Sequence, residues 1–260
     1  MNLLMKDYFK LEIFSKVLDK AKLIARFVKS RHALLERFRA MQKQITRPDG
    51  TKRGLKLPVP TRWYSCEACI RSIVENRTVL SAVFSDVDLL KRYESTKSPL
   101  LQVKAILADD TFWPEAETVL EFVHPVNECL ALFEKDNCCI SMIYQQLHWL
   151  KTYPAYNNPR STIARSTQLE ILDMIDERKK FLYTPSMGIS FVFDQSKSLD
   201  GFHDVDVIDI ITQAADLAAR LGLDGGDKLT YHQALVKFGE AKGSWNKTEN
   251  EKHAKFNPLN

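Results

Sequence analysis

Apolar residues recur at three- and four-residue steps along most of the chain, which is the repeat of a helix with one buried face. Over residues 7–28 the stripe is Leu11, Phe14, Leu18, Ala21, Ala25 and Val28, with basic residues between. A second stripe, over residues 32–45, uses Leu34, Phe38, Met41 and Ile45 and runs into the turn signal Arg47-Pro48-Asp49-Gly50. Residues 51–60 are basic and hold Pro58 and Pro60, so an extended loop is expected. Thr61 or Ser65 can cap a helix reaching Phe84, with Cys66, Cys69, Ile73, Leu80 and Phe84 inward. Short helices follow over 87–93 and 100–108. The clearest stripe comes next, Phe112, Ala116, Val119, Val123, Val126, Leu130 and Phe133, with Pro125 inside it predicting a kink. Residues 140–150 read as another helix, 155–163 as a polar loop, and Thr167 with Glu170 as a capping box opening a helix to Leu182.

One segment departs from this period. Ile189-Ser190-Phe191-Val192-Phe193 is short, aromatic and β-branched, and reads as a buried strand. A lone strand leaves its backbone groups unpaired, so this reading demands partner strands elsewhere. Two last helices, over 205–221 and 230–238, are separated by Gly222 and Gly225-Gly226, and a polar tail from Gly239 onward is expected to fray. The fold class is mainly α with one or a few strands.

Charge changes the picture more than bulk composition does. Residues 1–56 carry 15 Lys and Arg against 5 Asp and Glu, while the rest carries 22 against 28. A basic block on a mildly acidic body suits an acidic polymer such as nucleic acid; a solvated helical face is the plainer alternative. No apolar run is long enough to cross a membrane, and five cysteines fit a reducing compartment better than a disulfide framework.

Candidate chemistry is sparse. Cys66-Glu67-Ala68-Cys69 resembles half a zinc site without its second half, and both cysteines fall on the apolar stripe, so core cysteines are expected. Cys138-Cys139 and the histidines His124, His148 and His203 have no ligand spacing. Asp109-Asp110, Asp204 and Asp206 suit helix caps. Asp194, directly after the expected strand, is the one carboxylate placed like a metal ligand. Pro60-Thr61-Arg62-Trp63-Tyr64 is the most distinctive stretch: a flat aromatic face and a cation beside a basic block make a stacking platform for a base. A buried tryptophan anchoring the helix start is the competing reading.

The same residues carry a resemblance. Pro60-Thr61-Arg62-Trp63, the Phe112-Trp113-Pro114 stretch with Val119 and Pro125, and residues 187–194 stand in the order seen in hAT superfamily transposases, and the chain resembles that family over most of residues 1–240. The resemblance implies a ribonuclease H-like sheet interrupted by an all-helical insertion. It assigns residues 1–60 to a basic entry segment, 61–184 to the insertion, 185–240 to a returning strand and helices, and 241–260 to a tail. Such enzymes cut DNA with three acids and two Mg²⁺ ions. The matching acids would precede Met1 or lie beyond Asn260, so no autonomous cleavage and no cofactor are expected of this chain. The resemblance also places Trp63, with Arg62 beside it, where the family holds a base.

The expected function is therefore that of a truncated or degenerate hAT-derived protein with residual DNA binding through Trp63, Arg62, Arg53, Lys52 and Lys56. The alternative is a helical scaffold for protein–protein contact, including with itself. The expected compartment is the nucleus, with the cytoplasm as alternative, and no membrane or small-molecule cofactor is expected.

Overall fold

The computed structural model describes residues 2–45, 54–60, 62–95, 99–199 and 204–243. Among them the fold is mainly helical and holds no sheet. The Arg47–Gly50 turn signal, Lys52, Arg53, Thr61, His203 and the tail from 244 onward lie outside the described residues.

The chain divides into two compact units. The first holds residues 1–131 and 151–178, the second 132–150 and 179–260.

The first unit opens with α1 (Asn2–Tyr8), α2 (Glu12–Lys29) and α3 (His32–Gln44). Every residue of the stripe read over 7–28 is buried, and each fully buried leucine or phenylalanine contributes about 1.5–3 kcal/mol relative to exposure. The single helix expected up to Phe84 is two, α4 (Tyr64–Val74) and α5 (Arg77–Phe84). They part at Asn76, a fully buried amide whose Nδ2 donates to the Ser72 carbonyl at 2.7 Å and whose Oδ1 accepts from Gln42 at 2.8 Å. A buried asparagine with those partners offers the backbone an alternative to helix continuation.

Next come α6 (Val87–Lys91), capped by Asp86 accepting from Leu89 N, α7 (Leu100–Ala108) and α8 (Phe112–Phe133). Helix α8 continues through Pro125, where the sequence predicts a kink. Its Phe122 joins Phe14, Tyr8 and Tyr156 in an edge-to-face cluster with centroids 5.5–6.3 Å apart, an arrangement favoured by ring quadrupoles. Tyr156 lies in a 3-10 turn, Pro154–Asn157, and donates to the Phe122 carbonyl at 2.8 Å. Helix α2 packs on α3, α4 and α7, and α5 packs on α3 and α7. Helix α10 (Arg165–Leu182) begins two residues before Thr167, so the expected capping box does not form. The buried Gln168 fixes its start, donating at 3.0 Å to the carbonyls of Asn158 and Ile163.

The second unit corrects the strand. Residues 189–193 belong to a helix, α11 (Pro185–Phe193), with Pro185 in its first turn, where its missing N–H is not needed. Gly188, Phe191 and Val192, spaced as one helical face, are buried against Tyr144 of α9 (Ile140–Lys151) and against α12 (Asp204–Arg220). Tertiary packing overrides the β propensity of the segment, and the demand for partner strands disappears. Helix α13 (Lys228–Gly243) closes the unit and runs past Gly239, where fraying was expected. Its Lys242 is buried and donates to the carbonyls of Phe191 (3.2 Å), Val192 (2.6 Å) and Asp194 (2.6 Å). That ammonium satisfies acceptors left over at the end of α11.

Candidate functional site

The junction of the 54–60 segment with α4 holds the described residues that the sequence singles out. Leu55 is buried, and three hydrogen bonds staple the segment down. The Lys29 ammonium donates to the Leu55 carbonyl at 3.2 Å, Lys56 N donates to Ser72 Oγ at 2.9 Å, and Val59 N donates to Ser65 Oγ at 2.7 Å. Val59 and Arg62 pair as an isolated antiparallel bridge. Trp63 stands at the N-cap position of α4.

The result is a fixed, solvent-facing group. Lys56, Arg62 and Tyr64 are exposed and Trp63 is half-buried. Trp63 N donates to Asn2 Oδ1 at 3.3 Å, and Arg62 donates from NH1 to the Tyr64 hydroxyl at 3.3 Å. Trp63 is thus neither sealed in the core nor fully free, and it stands one residue from a guanidinium. Asn2 and Ser72 went unnoticed in the sequence, and Ser65, expected there as a possible helix cap, lies inside α4 instead, with Trp63 at the N-cap. Tyr64 was already named in the sequence as the end of the Pro60–Tyr64 stretch.

The basic block is more self-compensated than its sequence suggests. Six of the eleven Lys and Arg in residues 2–45 pair with carboxylates. Lys20 reaches Asp109 at 2.9 Å, and Thr111 together with Lys20 holds the Asp109 carboxyl down to about 2. Arg31 stacks on Phe27 at 3.8 Å and donates to its carbonyl, a structural role. Lys6, Arg26, Lys43, Lys56 and Arg62 are exposed without a carboxylate partner among the described residues. Exposed helical pairs such as Lys16–Glu12 are weak and screened by salt, yet each occupies a cation that the sequence alone would offer to phosphate.

The other candidates resolve into structure. Cys66 and Cys69 are buried on α4, and burial pushes the Cys69 thiol up to about 12. Between them Glu67 is buried in a polar cluster, accepting from Arg71 and Asn127, with His124 Nδ1 at 3.9 Å. Asp194 ends α11 and accepts from Ser141 Oγ (2.6 Å), Ser196 N (3.0 Å) and Ser196 Oγ (2.6 Å). Burial pushes its carboxyl up, and the bonds from Ser141 and Ser196 outweigh that and hold it below the ordinary value. Among the described residues no three His, Cys, Asp or Glu converge in a way that could hold a metal ion. No helix among them is long and apolar enough to cross a membrane.

Set against family models, curated proteins and solved structures, the chain matches none.

Proposed function

We propose that this chain is a non-cleaving DNA-binding protein of hAT transposase descent that grips DNA at the Lys56–Tyr64 junction and acts in the nucleus. The observation that carries the reading is the stapled junction itself. An exposed guanidinium, a half-buried indole and an exposed phenol occupy three successive positions at the start of α4, and the exposed Lys56 belongs to the segment stapled to the same helix. An unpaired base offers a π-face to Trp63 or Tyr64, and the adjoining phosphates offer charge to Arg62 and Lys56. Lys52 and Arg53 extend the same basic run in sequence. Asp194, the carboxylate that the sequence places like a metal ligand, accepts from two serines.

Titration of a hairpin DNA with the full chain tests it. Trp63→Ala is expected to weaken binding by about 1–3 kcal/mol, the worth of one base–aromatic stack. Arg62→Ala should weaken it as well, with both variants melting like the parent. Hairpin affinity unchanged in both variants would remove the proposal.

A protein-binding scaffold is the second reading, favoured by Leu221, Leu223 and Leu229, which are 62%, 66% and 68% exposed at the turn between α12 and α13. Monodisperse monomer in light scattering, with no binding of a hydrophobic dye, would count against it.

A further inference from the structure

Two groups singled out in the sequence, Cys138-Cys139 and Asp194, meet in the second unit. Of the five cysteines, Cys66, Cys69 and Cys129 are buried, and burial pushes the Cys69 and Cys129 thiols up to about 12, which leaves them inert. Cys138 is half-exposed and Cys139 exposed, on non-helical residues just before α9.

The neighbours hold the Cys139 thiol in place. The Cys139 carbonyl accepts from Met142 N at 3.1 Å and Ile143 N at 3.2 Å, opening α9. Its Sγ lies 3.1 Å from Ser141 Oγ. Ser141 has one hydroxyl hydrogen and gives it to Asp194 at 2.6 Å, so Ser141 accepts and the Cys139 S–H donates. Cys138 Sγ lies 3.8 Å from the Cys139 carbonyl oxygen.

The peptide between the two cysteines is trans, which sets their Cα atoms about 3.8 Å apart, short of the roughly 4.4–6.8 Å a disulfide spans. The pair is therefore poorly placed to close on itself and persists as two accessible thiols. A single atom inserted between the sulfurs removes that restriction.

We propose that Cys138 and Cys139 form a vicinal dithiol site that captures trivalent arsenicals, one arsenic atom bonding both sulfurs. With an organoarsenic(III) oxide, two As–S bonds form and the two S–H bonds break. The oxygen leaves as water with both thiol protons, and arsenic keeps its oxidation state. Capture withdraws the Cys139 hydrogen bond from Ser141 without touching the Ser141–Asp194 bond. The site stands independently of DNA binding.

Phenylarsine oxide added to the reduced full chain is the test, read by intact mass and by titration of free thiols. The expected result is one arsenical per chain, two thiols lost, and release by a competing dithiol but not by a monothiol. Cys138→Ser and Cys139→Ser should each bind about a hundredfold more weakly, because the second bond gains from being intramolecular. Both positions are accessible, so thermal melting of the variants should match the parent. Tight, dithiol-reversible capture that survives in Cys139→Ser, or release by monothiol from the parent chain, would overturn the proposal.

Discussion

Lys242 shows how one side chain can serve two opposed demands. Its ammonium closes the end of α11 through three carbonyls, yet it is buried. Burial pushes its pKa down to about 8; the Asp194 charge opposes that shift and Lys197 adds to it. The unfolded chain, with an ordinary lysine near 10.5, binds more protons than the folded one between those two values. Stability from this group therefore rises with pH from about 8 to 10.5 and is lost as pH falls through 8. Cys69 and Cys129 act with the opposite sign, their contribution being complete below pH 9 and lost as pH rises toward 12. The Lys242 contribution is isolated by subtracting the pH profile of Lys242→Met from that of the parent in chemical denaturation. The difference should climb across that window, and a flat difference would show that Lys242 titrates like a solvated lysine.

Among the elements, α12 makes the tightest demands. A Cβ on Gly188 of α11 would stand 2.9 Å from Ile210 Cγ1, and one on Gly239 of α13 would stand 2.7 Å from Ile211 Cδ1. Two neighbouring isoleucines on α12 thus each press on a glycine of a flanking helix. Gly188→Val and Gly239→Val should each destabilise the second unit by about 1–3 kcal/mol in urea denaturation, the usual cost of overpacking. Wild-type stability in either would mean that the helices separate without penalty.

This packing also explains which elements could be read in advance. Helices with one apolar stripe and a wet opposite face, α2, α3 and α8, were legible because burial on one side imposes a helical period. Helix α11 was misread because it is apolar nearly all round, so period no longer distinguishes helix from strand, and Gly188 and Pro185 had no visible partner. The break at Asn76 was hidden for a related reason, since its partner Gln42 is 34 residues away in sequence. At the candidate site, Arg62 and Trp63 were legible as residue types, whereas the stapling by Ser65 and Ser72 depends on contacts that no local pattern encodes.

For the whole molecule, the cations already held by carboxylates or by backbone carbonyls change what the basic block predicts. A basic block of net +10 would suggest a salt slope near −9 for duplex DNA. Setting aside the paired cations, and Lys29 and Arg31, which donate to backbone carbonyls, leaves Lys6, Arg26, Lys43, Lys56 and Arg62; with Arg47, Lys52 and Arg53 of the same run the count is eight and the slope about −7. Binding followed across a salt series should give the shallower value, while a slope near −9 would mean that DNA strips the helical ion pairs. The Arg62–Trp63 reading is tested most directly by photo-crosslinking a hairpin DNA with photoreactive pyrimidines in its loop and mapping the adducts on the full chain. The account predicts adducts concentrated at Trp63 and Tyr64 and lost in Trp63→Ala; adducts spread evenly over the basic helices, with none at 56–64, would contradict it.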